Sequence, residues 1–271
     1  MPVQLIALDL DDTLLRFDLT ISQANREAVA EARAAGIRIV LASGRNIHSM
    51  RHYAELLGLD GPGNFLVCSN GAEIIEPDTG LLLEERRLEP DFCAEIARTI
   101  EGRGFPWQVY EEGIIHVSRP NDWALADSRL TGQPAILLED ETAFFARGLI
   151  KFVIPGDPAR IEELRRDLAA RFQGRATVVT SKPYFLEVLA PGVDKGAALA
   201  RLAARLGLGM EGVMAIGDAM NDLGMVSEAG YGCAPANALP AVKAAARFVS
   251  PRTNDEDAVA ELIGRVALGR H

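Results

Sequence analysis

Two short acidic clusters carry most of the chemistry that this sequence offers. The first, Asp9-Leu10-Asp11-Asp12-Thr13, follows the apolar run Leu5-Ile6-Ala7-Leu8; the second, Gly217-Asp218-Ala219-Met220-Asn221-Asp222, follows the run from Val213 to Ile216. Three carboxylates within four residues repel one another, so a buried strand that ends in them calls for a cation. Side chains alternate along an extended segment, which lets Asp9 and Asp11 project toward one spot while Asp12 points elsewhere. Two hard oxygen donors of this kind suit a magnesium ion. Acids from two such strand ends could close a metal site at the carboxyl edge of one sheet. Asp and Thr also favour positions ahead of a helix, so D-x-D-x-T by itself reads equally as a capping turn.

Ser43-Gly44-Arg45 brings a hydroxyl, exposed backbone N–H groups and a cation to another strand end, which makes either an anion site or a turn capped by Ser43. Lys195 lies between Asp194 and Gly196 at a helix start, where the dipole disfavours cations. It is one of four lysines (Lys151, Lys182, Lys195, Lys243) among 28 basic residues. Read alone, it is more readily a surface lysine than a functional one. His48 and His52 lie one helical turn apart without a third ligand and read as a solvated face.

The elements that must position these groups follow from periodicity and turn residues. Thr20 or Ser22 caps a helix through Ala35, which Gly36 stops, and strand Ile37 to Leu41 follows, giving a βαβ unit. A helix to about Leu57, strand Phe65 to Cys68 and the turn Ser69-Asn70-Gly71-Ala72 come next. From about Leu83 to Leu189 the sequence turns richer in Arg, Glu and aromatic residues, with shorter elements: helices Asp91 to Ile100 and Pro158 to Phe172, and strands Phe105 to Tyr110, Ile114 to Val117, Ala135 to Leu138, Leu149 to Ile154, Thr177 to Thr180 and Phe185 to Leu189. This reads as a separate α+β insertion. A helix opened by Pro191-Gly192-Val193-Asp194-Lys195-Gly196 and running to about Leu206, strands Val213 to Ile216, Tyr231 to Cys233 and Phe248 to Ser250, and helices from about Asn237 through Ala246 and from Asp255 or Asp257 to Leu268 complete the chain.

Composition narrows the function classes. A chain of 271 residues that is 48% hydrophobic, with a formal net charge of −10, is globular, long enough for two domains, and unsuited to nucleic acid as main partner. Small phosphorylated ligands need only local cations. No apolar stretch reaches the length of a membrane span, and Met1-Pro2 leads straight into the first strand without an export signal, so a cytoplasmic location is expected. Cys68, Cys93 and Cys233 are widely spaced and read as buried free thiols.

Taken in order, Asp9/Asp11, Ser43-Gly44-Arg45, Lys195, and Asp218 with Asn221 and Asp222 resemble the four motifs of the haloacid dehalogenase-like superfamily. The chain looks like its Cof-type hydrolases, whose type IIB cap lies between the second and third motifs, and the likeness extends through Asn237-Ala238, Val242-Lys243 and Asn254-Asp255-Glu256-Asp257. The resemblance implies an α/β fold: a Rossmann-like parallel-sheet core of residues 1–83 and 190–271, with an inserted α+β cap, residues 84–189, that sets substrate specificity. It implies a magnesium-dependent phosphatase that hydrolyses small monoesters (a sugar phosphate, pyridoxal phosphate or similar) through an aspartyl-phosphate. A sugar phosphomutase and a non-catalytic sensor of a phosphorylated ligand are the alternatives.

By this likeness Asp9 is the nucleophile and Asp11 the general acid and base, starting protonated. Ser43, Gly44, Lys195 and Asn221 hold the phosphoryl group. Mg2+ is held by Asp9, Asp11 through its carbonyl, and Asp218, with Asp222 anchoring a coordinated water or Lys195. Arg45, Asn70 and Glu187 are substrate candidates, with Trp107, Tyr110, Glu111, Arg119, Trp123 and Tyr184 as further residues of the insertion. The partner implied is a small phosphorylated metabolite, not nucleic acid or membrane, with the chain a monomer or homodimer. Three positions depart from the family pattern: Asp12 for a frequent Gly, Pro235 for a frequent Met, and Ala258 for a common Gly.

Overall fold

The structure is a computed structural model that describes residues 2–270. The chain divides into two compact units, Met1–Glu84 with Asp194–His271, and Glu85–Val193. Among the described residues no helix is long and apolar enough to cross a membrane.

The first unit begins β1 (Leu5–Leu8), α1 (Gln23–Ala34), β2 (Arg38–Ala42), α2 (Ile47–Leu56), β3 (Phe65–Cys68), β4 (Glu73–Ile75) and β5 (Leu82–Glu85). The second unit follows with α3 (Pro90–Gly102), β6 (Gln108–Glu111), β7 (Ile114–Val117), α4 (Asp122–Thr131), β8 (Ala135–Leu137), α5 (Glu141–Phe145), β9 (Lys151–Pro155), α6 (Pro158–Arg171), β10 (Thr177–Lys182) and β11 (Phe185–Leu189). The first unit then resumes with α7 (Lys195–Arg205), β12 (Val213–Ile216), α8 (Leu223–Glu228), β13 (Tyr231–Ala234), α9 (Pro240–Ala245), β14 (Phe248–Val249) and α10 (Ala258–Leu262).

The first unit is built on one eight-stranded sheet in the order β14-β13-β12-β1-β2-β3-β4-β5. Pairing is parallel from β14 across to β3 and turns antiparallel between β3 and β4. β1 is apolar throughout because both of its faces are covered, as a parallel sheet requires. Ile6 and Leu8 pack with Val29 and Ala32 of α1 and Val259 and Leu262 of α10, whereas Leu5 and Ala7 pack with Ala198, Leu199 and Leu202 of α7. The chain runs from β1 toward β2 on one side and returns through β12 on the other. β1 and β12 are therefore the two strands at the topological switch point, where loops part and ligands bind in open α/β sheets.

The second unit is a six-stranded sheet ordered β10-β11-β9-β6-β7-β8. Trp107, Val109, Phe152, Ile154, Leu186 and Val188 face α3 and α6 and form its core with Phe92, Ile96, Leu164 and Leu168. The opposite face carries polar side chains from alternate positions, among them Gln108, Tyr110, Lys151 and Glu187. Trp107 is fully buried against Phe145 and Phe152, with its indole N–H donated to Glu101, so this insertion residue belongs to the core rather than to a ligand surface. The three cysteines are free and buried, and burial pushes their thiols well up, which keeps them protonated and unreactive.

One close approach fixes where the first turn of α7 lies. A Cβ added to Gly196 would stand 2.5 Å from the Gly224 carbonyl carbon and 2.7 Å from the Met225 nitrogen, so α7 rests directly on the backbone of α8. Only glycine permits that crossing. Gly196→Ala should therefore push the two helices apart and lower stability by about 1–3 kcal/mol, as overpacking does, and displace Lys195. Gly61→Ala, where a Cβ meets nothing within 4 Å, serves as the control. Urea unfolding midpoints check this; equal midpoints for both variants would contradict it.

Candidate active site

The sheet register brings the two acidic turns together. Leu8 of β1 pairs with Ile216 of β12, and the Asp9 N–H extends that ladder by donating to the Ile216 carbonyl at 3.0 Å. Asp9 thus emerges beside the turn that holds Asp218, although 209 positions separate the two residues in the chain. After Asp9 the backbone turns through Leu10–Leu14, a coil interrupted at Asp11, which is extended with φ −70° and ψ 127°, and at Asp12. Asp12 within this coil is left-handed, with φ 60° and ψ 9°. That conformation favours glycine; Asp is among the few other residues that enter it at modest cost.

Lys195 is the centre of the cluster. Its ammonium is 1% exposed and donates to Asp9 Oδ1 and to Asp222 Oδ1, each at 2.6 Å. Burial alone would lower its pKa, but Asp222 and Asp9 outweigh that and hold it protonated. A lysine at a helix start thereby finds its charge balanced by two acids from other elements. The Asp194 carboxylate caps the same helix by accepting the Ala197 N–H at 3.0 Å. Asp222 is itself pinned: its Oδ2 accepts the backbone N–H groups of Asp218 and Ala219, both at 3.0 Å. Thr13 Oγ1 donates to Asp218 Oδ1 at 2.6 Å, tying the first acidic turn to the second.

Asp9, Asp218 and Asp222 offer carboxylate oxygens that all lie within 4.8 Å of one another, and all three residues are buried. One ammonium does not balance three carboxylates. Burial and then Asp222 raise the Asp9 pKa well above the usual range, and burial and then Asp222 push Asp218 up to about 7. A divalent cation with oxygen preference relieves this repulsion, so the donor set fits Mg2+. Asp9 Oδ2 and Asp218 Oδ2 take part in none of the bonds above. Both Asp222 oxygens are engaged, one by Lys195 and one by backbone, which suits it to anchoring Lys195 rather than to direct ligation.

Asp11 does not join this buried group through its side chain. The Arg45 guanidinium grips it on both oxygens, Nε to Oδ2 at 2.8 Å and the terminal nitrogen to Oδ1 at 2.7 Å. The strand ends at Leu8, so strict alternation does not govern Asp11. A carboxylate paired on both oxygens with a guanidinium is held in its charged form, so a role as acid would require Asp11 to leave Arg45.

Ser43 is buried, but it does not cap α2. Asn46 does so, accepting the Ser49 N–H at 3.0 Å, while Ser43 Oγ accepts the Arg45 N–H at 3.2 Å within the preceding turn. Asn70 packs its side chain over Gly44, where a Cβ would stand 3.3 Å from it, and accepts the Asn221 amide at 3.0 Å. Asn221 Oδ1 is buried with no hydrogen-bond partner. These contacts gather Gly44, Asn70 and Asn221 at one place in the first unit, with Ser43 and Arg45 on the same turn. Glu187 belongs to the second unit, where it pairs with Lys151 at 2.9 Å. Trp123 stacks on Tyr184 with ring centroids 5.3 Å apart, and Arg119 donates to the Gly104 carbonyl. Thr13 is the residue of this site that sequence reasoning left without a role; its place in D-x-D-x-T was the available signal.

The family model for haloacid dehalogenase-like hydrolases matches residues 6–263. The chain is 34% identical over 266 residues to the 5-amino-6-(5-phospho-D-ribitylamino)uracil phosphatase YcsE of Bacillus subtilis, covering 96% of this chain and 94% of that protein. It is 32% identical to the HMP-PP phosphatase of Cronobacter sakazakii, over 86% of this chain and 84% of the other. Among solved structures, a haloacid dehalogenase-like hydrolase from Bacteroides thetaiotaomicron superposes with a TM-score of 0.88 at 34% identity, covering 97% of this chain and 99% of that one.

The raised pKa of Asp218 gives a pH signature. In the metal-free chain Asp218 titrates at about 7, whereas an unfolded aspartate titrates near ~4. Between those values the folded state holds more protons than the unfolded one, so this group's contribution to stability falls as pH rises through the window. Asp218→Asn removes that loss. With metal chelated, the variant should gain melting temperature relative to wild type as pH climbs from about 4 to about 7, and Mg2+ should reverse the order. Parallel curves for the two proteins would contradict the assignment.

Proposed function

This chain belongs to the haloacid dehalogenase-like hydrolase family, as a phosphoric monoester hydrolase, and from that we propose a magnesium-dependent phosphatase of small metabolites that works through an aspartyl-phosphate on Asp9. The observation that carries the reading is the buried Lys195 ammonium held between Asp9 and Asp222. Such a cation orients one Asp9 oxygen and leaves the other to attack.

Asp9 attacks phosphorus as the bond to the leaving alcohol breaks. Asp11, released from Arg45 and protonated, delivers its proton to the leaving oxygen. It then accepts a proton from the water that attacks the acyl phosphate, and inorganic phosphate leaves with Asp9 regenerated. Lys195, the Ser43 hydroxyl, the Gly44 N–H and the Asn221 amide hold the phosphoryl oxygens, whose charge is the main thing an enzyme must stabilise in this reaction. Asp9, the Asp11 carbonyl and Asp218 would hold Mg2+, which when bound neutralises charge on the acids and the phosphate. Arg45 holds Asp11 in the resting site.

We assign substrate choice to the insertion. One face of its sheet carries the Lys151–Glu187 pair, with Lys151 5.4 Å from the Tyr110 ring centre, and Tyr110 and Gln108 both bonded to Asp127. The first candidate is 5-amino-6-(5-phospho-D-ribitylamino)uracil, named for the relative at 34% identity. The buried free thiols support a reducing, cytoplasmic setting.

A panel of phosphate monoesters that includes this compound, assayed for phosphate release, tests the proposal. Activity should require Mg2+, and full turnover after exhaustive chelation would contradict it. Release of isomerised sugar phosphate without inorganic phosphate would instead mark a mutase. Rapid-quench single turnover of an aryl phosphate separates the two aspartates. Asp11→Asn should still release a burst of aryl alcohol, because that leaving group needs little protonation, while losing about 10²–10⁴-fold on alkyl phosphates. Asp9→Asn should give no burst; a burst from both would remove Asp9 from the role.

A further inference from the structure

A segment that carries none of the reacting groups binds the backbone of both acidic turns. Asn237 Nδ2 donates to the Asp12 carbonyl at 2.7 Å, and two residues on the Leu239 N–H donates to the Asp218 carbonyl at 2.8 Å. Asn237 is fixed in turn, since its Oδ1 accepts the Asn254 N–H at 2.9 Å. The buried Asn254 side chain then donates to the Leu15 carbonyl at 2.9 Å, closing a brace around the Asp12–Leu15 coil.

The bond to Asp12 falls where the backbone most needs support. Even for Asp, a left-handed conformation is less favoured than for glycine, and bonds from its surroundings help to hold it. The Asp11 and Asp12 carbonyls lie on peptide planes that share the Asp12 Cα, and φ and ψ of Asp12 together set the angle between them. A donor that holds the Asp12 carbonyl narrows that pair of angles and so restrains the Asp11 carbonyl, one peptide before it. The same short segment holds the Asp218 backbone, so the spacing of the two turns is set from one place.

We propose that Asn237 is a positioning residue for the metal site: it sets the aim of the Asp11 carbonyl and, with Leu239, its distance from Asp218. The inference rests on reading Asp9, the Asp11 carbonyl and Asp218 as Mg2+ donors. Groups that orient metal ligands typically contribute 10–100-fold in affinity.

Calorimetric titration of the full chain with Mg2+, without substrate, tests it. Asn237→Asp keeps the acceptor for Asn254 but places an acceptor against the Asp12 carbonyl, and Asn237→Ala removes both bonds. Both variants should bind Mg2+ about tenfold or more weakly than wild type, with kcat recovering at saturating Mg2+. Val29→Ala, a core truncation on α1, controls for lost stability and should keep wild-type affinity. Wild-type affinity in Asn237→Asp would overturn the inference, as would an equal loss in Val29→Ala. Absence of Mg2+ binding by the wild-type chain would overturn the metal reading itself, and this inference with it.

Discussion

The buried ammonium of Lys195 is the interaction on which the first unit's chemistry depends. Placing one cation and three carboxylates out of water is costly, and the bonds that their other polar atoms make offset part of that cost. Asp222 uses one oxygen for Lys195 and the other for two backbone N–H groups, and Asp218 takes the Thr13 hydroxyl. The surplus negative charge that remains is a standing demand for a divalent cation and a poor environment for a dianionic ester alone. Metal binding, phosphate binding and the reactivity of Asp9 are thus aspects of one electrostatic arrangement.

That arrangement is enforced by backbone more than by side chains. Register between β1 and β12 puts Asp9 beside the Asp218 turn, and the glycine contact between α7 and α8 lets Lys195 reach both Asp9 and Asp222. Asp11 is governed differently. Its partner Arg45 arrives from the loop after β2, the neighbouring strand on the other side of β1. Asp9 is therefore held by the returning half of the sheet and Asp11 by the outgoing half, which in the proposed mechanism lets Asp11 change partner without disturbing Asp9.

Much of the fold was legible in the sequence because its strands are short apolar runs bounded by turn residues. Phe65–Cys68, Ile114–Val117 and Phe185–Leu189 fall where alternation and β-branched content place them. Helices were harder. α2 starts at Ile47 under an Asn46 cap rather than at Ser43, and α1 takes Ser22 rather than Thr20 as its cap. α4, α5 and α8 were missed: α4 buries Ala124 as its one apolar side chain among the described residues, and α5 and α8, of 5 and 6 residues, are too short to show a helical stripe. The site's residue types were readable from motif order, and the Asp222–Lys195 pair was one of two alternatives that the family likeness offered. Nothing local signals that Lys195 is buried or that Arg45 holds Asp11 across 34 positions. These follow from strand order and helix packing, which the sequence encodes only through distant contacts.

The central claim is that this cluster exists so that Asp9 can carry a phosphoryl group. The most direct measurement is a single turnover with a radiolabelled phosphoryl donor in the presence of Mg2+, quenched in acid within milliseconds, followed by digestion and location of the label. The account predicts label on Asp9 alone, transient in the wild type and persistent in Asp11→Asn. Label on any other residue, or alcohol release that outpaces phosphate release with no label on the protein, would contradict it.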